Sequence, residues 1–271
     1  TGICGSEISC TVINCMNLGN VTGGSRVLGI SSNGTVKNCY NGGEIIANSG
    51  YARGICMYAE AINCHNDGNV TATENAYGIS DSITYSCYNS GDITSTSHSA
   101  CGITYSQAWR CYNTGNITAK SEAFGISNFL ASNCYNTGNV KGNDISVGVS
   151  NGASYCYNTG NVTSTKKASG IGLSSDNSYC LNTVEISAPQ IIEATMVSDE
   201  YMKSTEFFNI MNSYDTKYVE GNSIWKHKNN QYPQLLINVG EEIKEITELN
   251  IKNTINKYKI TTDVEEVNGV K

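Results

Sequence analysis

A cysteine returns along this chain at almost fixed intervals, and that recurrence limits the available folds more than any other feature. Cys15, Cys39, Cys64, Cys87, Cys111, Cys134, Cys156 and Cys180 are spaced by 24, 25, 23, 24, 23, 22 and 24 residues. Two positions after each stands an asparagine: Asn17, Asn41, Asn66, Asn89, Asn113, Asn136, Asn158 and Asn182. Glycine comes two residues later in seven of the eight units, from Gly19 to Gly160, with Val184 breaking the series. A β-branched residue follows, as Val21, Ile45, Val70, Ile93, Ile117, Val140, Val162 and Ile186. Ahead of each cysteine lies a Gly-Ile or Gly-Val pair, from Gly2-Ile3 to Gly170-Ile171. Four landmarks held in step through eight copies mark a repeat architecture.

The period and the chemistry of the unit select the architecture. Leucine-rich repeats of similar length need several leucines per unit, and leucine is scarce here; helical repeats need longer units and good helix formers. This unit alternates β-branched and aromatic bursts with Gly, Asn and Ser, which is strand and turn chemistry. The expectation is an all-β, right-handed parallel β-helix (β-solenoid) of about eight coils over residues 1–187, with three short strands per coil. Coils stacked at about 4.8 Å would make a rod on the order of 40 Å long. A single coil cannot bury its own apolar face; the stack does so jointly.

Stacking places identical side chains over one another. The Asn41, Asn66, Asn89, Asn113, Asn136 and Asn158 amides can then hydrogen-bond along a column. The glycine two residues later suits a turn with positive φ. Cys39, Cys64, Cys87, Cys111, Cys134 and Cys156 read as a column of small buried free thiols. In-register strands hold Cβ atoms further apart than a relaxed disulfide wants. Which way these cysteines face is open. Val12, Val36, Ala61, Ala108, Ala131 and Ala153 sit three residues before them, and strict alternation would put the two sets on opposite faces. Either the strand bends between them, or Cys points out and Tyr points in. Cys4, Cys10, Cys56 and Cys101 fall off the column.

The runs Cys111–Thr118 and Cys156–Thr163, with the Gly-Ile landmarks, resemble the GLUG-type repeats of large bacterial surface proteins. Gly-Ile-Ser or Gly-Ile-Thr replaces that family's usual Gly-Leu-x-Gly at most positions. The resemblance covers residues 1 to about 187. It implies a β-helical rod secreted or attached to a cell wall, of Gram-positive type, without implying one activity: such repeats occur in adhesins and beside some immunoglobulin-cleaving metalloproteases.

After Ala188 the repeat stops. Ser198 followed by Asp199 and Glu200 reads as a helix start, and Ser204 with Phe207 as a second. Ile224-Trp225-Lys226 and Tyr232-Pro233-Gln234-Leu235-Leu236 read as strands, so residues 188–238 are expected to cap the open end of the helix. Residues 239–271 shift to Glu, Lys, Ile and Asn and read as a linker and the start of a following domain. Thr1-Gly2-Ile3 already lies within the repeat pattern, which suggests a piece of a longer precursor.

A net charge of −7 argues against a nucleic-acid partner, which needs clustered Lys and Arg. No apolar run approaches the roughly 20 residues of a membrane span. Histidine occurs only at His65, His98 and His227, and no His-Glu-x-x-His, P-loop or Gly-x-Ser-x-Gly is present. Glu44, Asp92 and Glu185 recur several coils apart in a position otherwise held by Asn, which suits a polar ladder better than a catalytic pair. Thr71/Thr73, Thr94/Thr96 and Thr163/Thr165 form Thr-x-Thr pairs, but Lys120 and Lys141 interrupt the array. The candidate ligand-binding residues are Tyr40, Tyr88, Tyr112, Tyr135 and Tyr157, which follow the column cysteines. Facing out, they offer an aromatic stripe to sugars or peptides; equally, stacked tyrosines stabilise a sheet by themselves. The reading is a non-catalytic surface module, adhesin or spacer, monomeric within a larger secreted chain. It needs no cofactor or metal and meets a host or cell-surface glycan or protein. The alternative is a carbohydrate-binding or carbohydrate-active β-helix.

Overall fold

The computed structural model describes residues 2–3, 10–31, 33–181, 183–192, 194–213 and 224–236. The reading of 239–271 lies outside these residues. Among them the chain forms a β-solenoid of about eight coils, whose strands assemble into four parallel sheets of eight, nine, eight and eight strands. The first runs from Cys10–Ile13 to Ser174–Asp176 and the second from Met16–Asn17 through Tyr179–Leu181 to Met196–Val197. The third runs from Val21–Gly23 to Ile186–Ser187 and the fourth from Arg26–Leu28 to Gln190–Ile192. Four strands per coil correct the expected three. The extra strand is the short segment just before each Gly-Ile pair, such as Tyr51–Arg53 or Glu122–Phe124.

Like residues sit over like. Asn66 pairs in register with Asn41 and Asn89, Val70 with Ile45 and Ile93, Ala76 with Ala52 and Ala100. The interior is filled by the Ile/Val of the third sheet, the alanines of the fourth, the Gly-Ile isoleucines and the cysteines, nearly all fully buried. Each buried isoleucine contributes roughly 1.5–3 kcal/mol by leaving water.

The cysteine orientation is settled by one backbone feature. The residue just before the cysteine adopts positive φ in coil after coil: Asn14, Asn38, Asn63, Ser86, Arg110, Asn133 and Tyr155, at 51° to 56°. This left-handed bend separates the first and second sheets and resets the alternation. Val36 and Cys39 therefore both point inward, as do Ala61 and Cys64. Tyr, next after Cys, points outward, and Asn points inward again. Asn suits this bend because it tolerates the left-handed region better than most residues.

The bend also corrects the alignment of the last coil. There it falls on Asn177, so Tyr179 pairs with Tyr157 and Cys180 with Asn158. Cys180 thus stands in the asparagine column. Ser178 takes the cysteine place, its Oγ accepting from the Cys156 N–H at 3.0 Å. Asn182 lies outside the described residues.

A second correction concerns glycine. Among the described glycines only Gly34 has positive φ, so no turn of that kind explains the glycine after each asparagine. Close stacking does. A Cβ on Gly115 would lie 2.0 Å from the Gly91 carbonyl oxygen, and one on Gly102 would lie 2.1 Å from that of Gly125 and 2.6 Å from Asn113 Cγ. Backbone meets backbone there with no room for a side chain.

Beyond the coils, α1 (Asp199–Met202) and α2 (Thr205–Asn212) start at Ser198 and Ser204, whose hydroxyls accept from the Tyr201 and Phe207 amides. Trp225–Lys226 and Gln234–Leu235 form an antiparallel pair. No helix among the described residues is long and apolar enough to cross a membrane.

Candidate functional site

The interior columns are structural. Each amide of the asparagine column donates twice, as Asn113 Nδ2 does to the Gly115 carbonyl (2.7 Å) and to Asn136 Oδ1 (2.8 Å). Its Oδ1 accepts from Asn89 in turn. The same pattern joins Asn41, Asn66, Asn89, Asn113, Asn136 and Asn158. The cysteines from Cys15 to Cys180 are free thiols, and all of these but Cys15 are buried, Cys56 and Cys101 included. Their thiols donate to carbonyls, as Cys87 Sγ does to Tyr85 at 3.2 Å. Burial pushes the Cys87 and Cys134 thiols upward in pKa, and that of Cys180 to about 11. At these three positions the thiolate, the reactive form, is disfavoured, whereas, against burial, hydrogen bonds from neighbouring thiols pull Cys64 and Cys111 the other way.

Outside, a second polar ladder runs through Asn20, Asn69, Asp92, Asn116, Asn139 and Asn161, whose side-chain oxygens accept from the backbone N–H of the next coil. Asp92 is one rung of it. Glu44 and Glu185 sit at the same level through their backbone amides. Thr73 Oγ1 donates to the Asn48 carbonyl at 2.8 Å and Thr165 Oγ1 to that of Asn143 at 2.5 Å, so these hydroxyls serve the coil contacts.

Tyr40, Tyr88, Tyr112, Tyr135 and Tyr157 do come together, as one outward column with His65 in its midst. Tyr88–Tyr112, Tyr112–Tyr135 and Tyr135–Tyr157 are parallel to within 4°, with centroids 4.8, 4.8 and 5.0 Å apart. His65 stacks on Tyr88 at 4.6 Å and is tilted against Tyr40 at 4.4 Å. Its burial favours the neutral ring. Because the rings stack on each other, ring faces are largely taken up within the column; what meets solvent is ring edges and phenol groups. Burial raises the Tyr112 phenol to about 12, so it stays protonated and can donate.

The column is open at one end and covered at the other. Tyr40, Tyr88 and Tyr112 are half-buried, whereas Tyr135 and Tyr157 are buried. The cover is the C-terminal segment, which lies sideways against the tyrosines. Trp225 packs over Tyr135 and Tyr157 at 6.2 and 5.9 Å and donates from Nε1 to Asn133 Oδ1. Phe207 meets Tyr157 and Tyr179 edge-on. Tyr157 donates its hydroxyl to the Pro233 carbonyl at 2.6 Å.

Where this cover ends, a cleft of about 380 Å³ opens. Thr114, Tyr135, Thr137 and Tyr157 line it from the coils. Lys203, Asn230, Gln231, Tyr232 and Gln234 line it from the C-terminal segment. Lys203 Nζ is matched by Asp199 Oδ2 at 2.6 Å, and the Tyr232 hydroxyl donates to the other oxygen of Asp199. These two partners hold the Asp199 carboxyl below its ordinary pKa. The repeat gives no sign of this cleft, since its walls come from residues a hundred positions apart.

A further cluster escapes the repeat reading. Arg53, buried, bonds Asp81 at 3.2 Å and lies 4.2 Å from the centre of the Tyr77 ring. Its signal in the sequence is a lone arginine just before Gly54, where Leu28, Tyr77 and Phe124 stand in other coils. Among the described residues no group of three or more His, Cys, Asp or Glu is arranged to hold a metal.

No known family profile matches the sequence, and no curated relative does. A solved structure from Bacteroides ovatus, of a protein provisionally called an immunoglobulin A1 protease, is similar at 16% identity with a TM-score of 0.49. The match covers 83% of this chain and 75% of that one.

Proposed function

We propose that this chain is a non-catalytic, surface-exposed repeat module of a larger secreted bacterial protein, an adhesive rod in preference to an inert spacer. The resemblance of its Cys-Tyr-Asn-Thr-Gly-Asn runs to GLUG-type repeats supports the surface setting. The observation that carries the adhesive reading is the tyrosine column itself. It is open along Tyr40, Tyr88 and Tyr112 and ends in a cleft lined by hydroxyl and amide groups. A stacked scaffold holds these groups without further ordering, which lowers the entropic cost of binding. The partner is a host or cell-surface glycan or protein, and the chain works without cofactor. Binding without chemistry is favoured at the cleft, because the carboxylate beside it, Asp199, has both oxygens engaged by Lys203 and Tyr232. Most glycosidic hydrolysis uses two available carboxyl groups.

The surface setting is tested with antibodies against the purified chain, applied to intact and to permeabilised producing cells. Staining of intact cells, lost after brief external proteolysis, is expected. Staining only after permeabilisation would overturn the proposal.

A further inference from the structure

We infer that the cleft beside the C-terminal hairpin is a binding site for a short stretch of neutral glycan, which leaves it along the open tyrosine column. This rests on the adhesive reading and specifies its ligand. The volume, about 380 Å³, falls within the roughly 300–1,000 Å³ typical of small-molecule sites. The floor is aromatic, from Tyr135 and Tyr157, and the walls are polar, with Lys203 the single charged residue among the lining ones. That combination, an apolar floor with a few convergent polar groups, is what orients a small ligand.

The wall chemistry names the ligand class. Thr137, Asn230, Gln231 and Gln234 line the cleft, and no side-chain bond within the protein occupies them. Hydroxyls and carboxamides both donate and accept. A ligand dense in hydroxyls, each itself both donor and acceptor, can satisfy such a set without burying an unmatched charge. Lys203 does not alter this, since Asp199 neutralises it at 2.6 Å and the Lys203 ammonium also rests 5.0 Å from the centre of the Tyr232 ring. An anionic sugar would therefore find no free cation and would lose hydration without return.

Direction follows from the column. Tyr112 is next in register after Tyr135 and is half-buried, followed by Tyr88. The hairpin closes the other side, where Trp225 and Phe207 already lie on Tyr157. A glycan seated in the cleft thus extends over the ring edges of Tyr112 and Tyr88.

The test uses the whole chain on an array of neutral hexose and N-acetylhexosamine oligosaccharides, printed beside uronic-acid and sialylated ones, with calorimetry on the strongest response. Two sets of variants separate the possibilities. Asn230→Gly with Gln231→Ala removes wall amides at exposed positions, and glycine keeps the positive φ of 61° at residue 230. Thr137→Trp fills the cleft from its exposed rim. Either should weaken a neutral oligosaccharide at least about ten-fold, with amide hydrogen exchange over residues 224–236 unchanged to show the hairpin in place. Tyr88→Ala, away from the cleft, should weaken longer oligosaccharides more than short ones. Absence of any neutral glycan response overturns the inference, as does preference for the anionic set. Loss of binding in Tyr88→Ala with full binding in the cleft variants also overturns it, while leaving the adhesive stripe intact. Surface staining of cells is read independently of all three.

Discussion

Replacing Asn113 by alanine removes one rung from the buried amide column and tests whether that column holds the coils together. Asn113 makes three side-chain hydrogen bonds: it donates to the Gly115 carbonyl and to Asn136 Oδ1, and accepts from Asn89 Nδ2. Alanine leaves two buried acceptors, Asn136 Oδ1 and the Gly115 carbonyl, without these donors. Asn89 keeps its second bond, to the Gly91 carbonyl. An orphaned buried polar group costs about 1–3 kcal/mol, so the substitution should cost about 2–6 kcal/mol. Stacked repeats do not always unfold in one step, so the assay is amide hydrogen exchange read by mass spectrometry. Peptides spanning Tyr88–Asn89, Tyr112–Asn113 and Tyr135–Asn136 should lose protection by that amount, while the first and last coils lose less. The matched control is Asn116→Ala, in the exposed outer ladder, where solvent replaces the lost side-chain bonds to Asp92 and Asn139; it should cost no more than about 0.5 kcal/mol. Equal loss in the two variants would refute the argument that burial makes the inner column decisive.

Gly102→Ala should be worse tolerated than an ordinary Gly→Ala change, because the new Cβ falls 2.1 Å from the Gly125 carbonyl oxygen. The neighbouring coils must part, and a thermal midpoint no lower than that of wild type would contradict this. Alkylation of the folded protein at pH 8 should modify Cys15 while sparing the buried Cys39, Cys56, Cys87, Cys101 and Cys134, as peptide mass spectrometry would show; rapid labelling of those five would count against the packed interior. Trp225→Ala should cost about 3–5 kcal/mol at the C-terminal segment, exposing α1, α2 and the hairpin to proteolysis without unfolding the coils, and unchanged cleavage would argue that Trp225 is not the anchor. Asp199, held below its usual pKa, favours the docked segment above the ordinary carboxylate range. That contribution fades as pH falls through its lowered value. In a Trp109→Phe background, Trp225 emission should change on acidification, and the change should be absent in Asp199→Asn.

The period, the inward asparagines and the tyrosine column were legible because stacking repeats a side chain wherever its neighbours repeat. The fourth strand was hidden because segments such as Ala76–Tyr77 or Ala100–Cys101 are too short to show alternation. What recurs at the bend is a backbone conformation, adopted by Asn63, Ser86, Arg110 and Tyr155 alike, so residue identity does not reveal it. The last coil misled for the same reason: following Cys180 as a landmark slips by two residues, since the bend at Asn177 sets the register. In the sequence the glycines look like turn formers, whereas their task is to let one coil's backbone touch the next. The cleft was not legible at all, because Thr137 and Gln231 meet only after the chain folds back on its own column.

Register through the stack is most directly measured by electron–electron distances between spin labels attached to ketone-bearing residues in one outward column. Thr22, Ile46, Thr71, Thr94, Thr118, Lys141 and Thr163 follow one another in register, six steps from first to last. Pairing a label at Thr22 with one at Thr118, Lys141 or Thr163 should give separations of about 19, 24 and 29 Å, rising by about 4.8 Å per coil. Distances that fail to rise in equal steps with the number of coils would contradict the stacked solenoid.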